Sequence, residues 1–327
     1  MSYILHLGHQ PTDIPGPPIS TSSAGFESNL DTNCIILDTF RGTTSLTFSW
    51  QEGTSDTTWI SFRGYHNSNG DPFNDNFLKF NNTIDGTIVN INVRSGNFNI
   101  IVNGDTTESF LTSYSLSRTF TAWFDIAITV TTSIITCEFY IDGVSQGSVT
   151  AANTVGLKNK PETLVLDVAG WAGGSLANEF FLAAHFAVLD GVSTVGRRFV
   201  RQTPDVAATH TDFSGSIDAL ADSNSATSMS SNTSGDRQSF TLTGPTVPST
   251  AISSVIIKHS ATAPANGSEP TSSTGFLKIG GINYDSTPVA FSDQIQQSYT
   301  VFTENPSNSS PWDNASLPDE FGIVTSA

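Results

Sequence analysis

Charge is scarce in this chain: only 13% of its 327 residues are Asp, Glu, Lys or Arg, and cysteine and methionine occur twice each. Disordered chains are rich in charge and poor in aromatics, so low charge beside 22 phenylalanines excludes an unstructured tail. Two cysteines cannot make a disulfide framework. Cys34 and Cys137 both have apolar neighbours, which reads as buried free thiols of a chain made in a reducing cytoplasm. No apolar run approaches the ~20 residues of a membrane-spanning helix. Met1 to His9 lacks the basic head, apolar centre and cleavage site of a secretory signal, so the product is expected to stay in the cell until assembly or lysis releases it. Helix-favouring runs of Ala, Leu, Glu and Lys are almost missing.

Basic residues are the scarcest charges, 13 against 30 acidic ones, for a net charge of −17. Such a surface repels phosphate backbones and anionic lipid heads, which excludes nucleic acid and membrane as expected partners. The acidity then serves either to keep an assembly component soluble or to bind cations.

Catalytic patterns are missing as well. A retaining glycosidase needs two carboxylates about 5 Å apart, and the nearest run, Glu138-Phe139-Tyr140-Ile141-Asp142, spends Asp142 on a glycine turn. No nucleophile elbow is present. The six histidines, His6, His9, His66, His185, His210 and His259, are scattered. The chain is therefore expected to be no enzyme and to need no cofactor.

What is present is alternation. Ser45–Trp50, Thr58–Phe62, Thr87–Val93 and Asn97–Val102 switch between apolar and polar residues with the period of a half-buried strand. Ala122–Val130 and Ile134–Ile141 read as a long antiparallel pair, and Asp142-Gly143 as a hairpin turn. Thr163–Val168 and Phe180–Leu189 complete the series. Residues 1–24, with Pro11 and Pro15 among four prolines, read as an extended arm whose apolar Tyr3, Ile4, Leu5 and Leu7 dock on a neighbouring subunit. Residues 25–202 form one domain and 203–327 a second, smaller β-sandwich. In the latter, Asp205–Ala208 and Ser216–Ala221 read as short helical turns.

The Trp123-led strand, the Ile141-Asp142-Gly143 turn and the late Val188-Leu189-Asp190-Gly191, in that order, resemble the concanavalin A-like lectin/glucanase superfamily, especially its laminin-G-like members, over residues 25–195. The resemblance implies an all-β, antiparallel jelly-roll sandwich. Where such domains often carry two acidic residues, this chain has Ala183, Ala184 and His185. The downstream Asn305-Pro306, Trp312 and Phe321-Gly322 resemble structural proteins of tailed bacteriophages. That resemblance implies a virion component of tail or capsid, made in the host cytoplasm, that forms homo-oligomers and contacts other virion proteins.

Three sets of residues are candidates for a site. Tyr65, Asn67, Phe73, Asn74 and Trp171 have the aromatic and amide chemistry of a glycan site, the alternative function. Asp71, Asn74 and Asp75 crowd oxygen ligands as a hard cation prefers, or form an ordinary Asx turn cluster. Arg197, Arg198 and Arg201 form a basic patch expected to clamp acidic residues of a neighbouring domain or subunit.

Overall fold

Period-two alternation becomes paired strands throughout the computed structural model, which describes residues 4–8, 34–37, 45–67, 74–94, 97–102, 109–111, 119–153, 158–167, 180–221, 227–244, 252–263, 270–293 and 295–327. The chain divides into two units, Tyr3–Phe199 and Val200–Ala327.

In the first unit the strands are β1 (Ile4–Gly8), β2 (Ile35–Leu37), β3 (Ser45–Ser49), β4 (Thr57–Asn67), β5 (Asn74–Asn82), β6 (Gly86–Arg94) and β7 (Asn97–Val102). They continue with β8 (Ser109–Leu111), β9 (Thr119–Val130), β10 (Ile134–Ile141), β11 (Val144–Ala152), β12 (Thr163–Asp167) and β13 (Phe180–Asp190). Among the described residues they form a seven-stranded sheet, β1-β13-β4-β9-β10-β11 with β2 also on β13, and a six-stranded sheet, β3-β12-β5-β6-β7-β8. All pairs are antiparallel, and the two sheets make a jelly-roll sandwich.

The inner faces meet in a phenylalanine core. Phe62, Phe77, Phe98, Phe124, Phe139 and Phe186 are each fully buried. Phe62 stacks on Phe124 at 5.0 Å between centroids, and Phe98 meets Phe139 edge-on at 5.0 Å. Offset and edge contacts of this kind add to the stabilisation from burial. Cys34 and Cys137 are buried free thiols, and burial pushes the Cys137 thiol far up. Asp142 and Gly143 take φ of 49° and 78°, the left-handed pair that a two-residue hairpin needs and that glycine adopts without strain.

Two expectations change. Residues 4–8 are not an arm within this chain: β1 pairs with β13, and Ile4 and Leu7 are 5% and 4% exposed. Their apolar side chains complete the chain's own sheet; Pro11, Pro15 and Tyr3 lie outside the described residues. In the second unit, Asp205–Ala208 lies within a strand, not a helical turn, because pairing with a neighbouring strand overrides alanine's local preference.

That unit comprises β14 (Thr203–Thr211), α1 (Asp218–Ala221), β15 (Arg237–Thr243), β16 (Val255–Ala261), β17 (Ser272–Ile279), β18 (Ile282–Asp285), β19 (Val289–Ala290), β20 (Gln296–Phe302) and β21 (Glu320–Ser326). The larger sheet runs β14-β15-β21-β17-β18, with β19 also on β17; β16 and β20 pair separately. Val255, Leu277 and Trp312 form one small core cluster, with Phe240, Phe276 and Val324 also buried, and Trp312 Nε1 donates to the Phe302 carbonyl at 2.8 Å. On the sheet's other face the Phe276 ring lies over Gly322, where a Cβ would overlap it.

Candidate functional site

The site follows from the face of the seven-stranded sheet that turns away from the core. On β4, Ile60 and Phe62 point inward, so Trp59, Ser61 and Arg63 point outward; on β9, Phe124 and Ile126 leave Trp123, Asp125 and Ala127 outward. Cys137 and Phe139 do the same for Glu138 and Tyr140 on β10. Register then sets three rows. Trp59, Ala127 and Glu138 form one, Ser61, Asp125 and Tyr140 the next, and Arg63 beside Trp123 the third.

Ala127 is small, so the Trp59 and Tyr140 rings close over it to 5.9 Å, and both side chains stay half-buried. The Tyr140 hydroxyl donates to Glu138 Oε2 at 2.7 Å. That bond to a carboxylate is the main reason the phenol is pushed up to about 12, with burial adding to it. The result is a fixed aromatic pair with a carboxylate at its rim.

The third row is covered by residues 191–199, which leave the end of β13. Arg198 Cζ lies 3.9 Å from the centroid of the Trp123 ring and Arg63 Cζ lies 5.4 Å from it. Arg198 Nη1 also stands 3.7 Å from Asp125 Oδ1 and donates to the Arg197 carbonyl at 2.6 Å. His185 joins them: a bulge in β13 between Ala184 and Ala187 gives it φ 57° and sets its ring 5.5 Å from Trp123. Burial, then the charges of Arg63 and Arg198, push His185 down to about 4, so the imidazole is neutral at pH 7.

The residues expected from sequence fall elsewhere. Tyr65 and Asn67 lie at the end of β4 in the seven-stranded sheet, whereas Asn74 and Asp75 begin β5 in the six-stranded sheet. Asp71, Phe73 and Trp171 lie outside the described residues. Of the basic patch, Arg198 stands 3.7 Å from Asp125 of its own unit, Arg197 is exposed, and Arg201 belongs to the second unit. Among the described residues no group of three or more His, Cys, Asp or Glu is arranged to hold a metal. Trp59, Tyr140 and Asp125 are not among the residues expected from sequence; an aromatic at a polar position of an alternating strand is a signal for the two rings, whereas Asp125 joins them only through strand register.

No family model matches the chain, and no curated protein matches it. Among solved structures it is similar to the binding domain of botulinum neurotoxin serotype C1, with 10% identity over 92% of this chain and 79% of that one, at a TM-score of 0.42. Domain 4 of an extracellular arabinanase from Geobacillus stearothermophilus, in complex with arabinotriose, matches with 14% identity over 59% and 84%, at 0.34. A sialidase matches with 11% identity over 49% of this chain at 0.35, and the chain spans only 15% of its length. Scores this low carry no argument about ligand.

Proposed function

We propose that this chain is a lectin-like module that binds a glycan, without hydrolysing it, on the outer face of the seven-stranded sheet. The observation that carries the reading is the half-buried Trp59–Tyr140 pair beside Glu138. Flat rings offer a platform for the C–H face of a pyranose, and a carboxylate at their edge accepts its hydroxyls. A place in a virion, which the sequence resemblance implies, is compatible with such a module and independent of it.

The test is a glycan array probed with the full chain and with Trp59→Ala and Tyr140→Ala. Each variant is expected to lose about tenfold or more in affinity for any glycan that the parent retains, with no release of reducing ends. A parent that retains no glycan, or variants that bind as it does, would sink the reading.

A further inference from the structure

The aromatic pair borders a carboxylate that the reading above leaves unused. Asp125 lies directly opposite Ser61 on β4 and Tyr140 on β10. It is 0% exposed, yet neither of its oxygens accepts a hydrogen bond, and Ser61 Oγ and Thr194 Oγ1, also buried, make none. Arg198 Nη1 at 3.7 Å supplies charge but stands beyond hydrogen-bond reach. Buried carboxylates are ordinarily met by several donors, because desolvation is costly otherwise.

The chemistry that answers this group is a pair of adjacent hydroxyls, which can donate to both carboxylate oxygens at once while accepting from Ser61. Beside Asp125 the Trp123 ring provides a stacking plane, and its face is taken by the Arg198 guanidinium. Arg198 belongs to the 191–199 strap and is half-buried, with 22% of its side chain exposed. With Thr194, it arrives from the strap rather than from a strand.

We propose that Asp125, Ser61 and Trp123 form an inner subsite for the vicinal diol of a pyranose, and that Arg198 fills it until ligand displaces the guanidinium. This extends the lectin reading, and rests on it, from the surface pair to the floor of the sheet. A cation–π contact and a long ion pair hold Arg198 against the sheet, while its hydrogen bonds go to carbonyls of its own strap, Arg197 and Thr194, so Arg198 and the strap yield together.

The experiment titrates the full chain and its Asp125→Asn and Arg198→Ala variants with methyl pyranosides and their singly deoxygenated analogues. Tryptophan fluorescence and ligand-observed NMR report binding, and circular dichroism confirms that each variant is folded. Asp125→Asn is expected to weaken binding about tenfold or more and to erase the preference for an intact diol. Arg198→Ala is expected to tighten binding a few-fold, as the competing contact is gone. Should Asp125→Asn fail to fold, Arg198→Ala decides alone. Parent-like affinity and diol preference in the folded variants, with binding still lost in Trp59→Ala, would overturn the inner subsite and leave the lectin reading standing. A parent that binds no pyranoside would bring down both.

Discussion

The two units are both antiparallel β-structures, but they are held together by different chemistry. The first packs its two sheets on stacked phenylalanines, with Phe124 meeting Phe62, Phe77, Phe98, Phe120 and Phe139. Among the described residues the second buries far fewer apolar side chains, Phe240, Val255, Phe276, Leu277, Trp312 and Val324, and relies on polar side chains that lie across its sheet. There Glu320 accepts from Ser239 Oγ at 2.6 Å, from Thr209 and from Lys278 Nζ at 3.0 Å. Arg237 forks onto Asp285 at 2.7 and 2.6 Å, and its guanidinium lies over Phe276. The difference teaches that burial suffices where a chain can close two wide sheets, whereas a small sandwich needs bonds of defined direction.

The comparison breaks most sharply at Phe124. Replacing it with Ala removes the ring that touches five others, and the first unit is expected to lose about 3–5 kcal/mol in urea unfolding while the second keeps its midpoint. A loss in both midpoints would show that the units do not unfold independently.

Acid separates them next. His66 is 1% exposed and burial holds it down at about 4; His185, 2% exposed, is held at about 4 by burial and then by Arg63 and Arg198. Between the unfolded value of about 6.5 and 4, the unfolded chain takes up protons that the folded one refuses, so stability falls as pH falls. The first unit is expected to lose up to about 3 kcal/mol per histidine over that window, and His66→Gln to remove one share. In the second unit His259 is likewise held at about 4 by burial and gives up its share over the same window. What is peculiar to that unit is Glu320: burial opposes its ionisation, but the bonds from Ser239, Thr209 and Lys278 prevail and hold it at about 2. Its contribution is complete above the unfolded value of about 4.3 and disappears as pH falls toward 2. A calorimetric pH series in which the second unit lost no more stability than the first between pH 4 and 2 would contradict this division.

A smaller effect is expected of Gly322→Ala. A Cβ there would overlap the Gln238 carbonyl and the Phe276 ring, which should cost the second unit about 1–3 kcal/mol. Gly86→Ala serves as the counterpart in the first unit: it meets nothing within 4 Å but has φ +71°, and should cost about 1 kcal/mol.

Most strands could be read from the residues alone, because Ser45–Ser49 and Ile134–Ile141 carry the alternation that their burial reproduces. What escaped was non-local. Ile4–Gly8 looked like an arm because prolines follow it, and its partner β13 lies at the other end of the unit. Thr203–Thr211 carried Ala207 and Ala208, whose helical preference gives way to pairing with β15. The site escaped for a related reason. Alternation was used to find what points inward, and Trp59, Asp125 and Tyr140 become neighbours only through the register of β4, β9 and β10. Loops rich in Asn and Asp drew attention instead, since their chemistry is visible without knowing any register.

The pairing of Ile4 with Leu189 also dictates an order of events during synthesis. At ordinary translation rates the ribosome needs roughly 10–40 s to travel from one to the other. Through that interval β4, β9 and β10 can assemble as they emerge, while β1 waits unpaired. Its place exists only once β13 has been laid against β4. The sheet is therefore closed last by some of its earliest residues, and a nascent chain stalled before Phe180 would hold Ile4 and Leu7 with no strand to receive them.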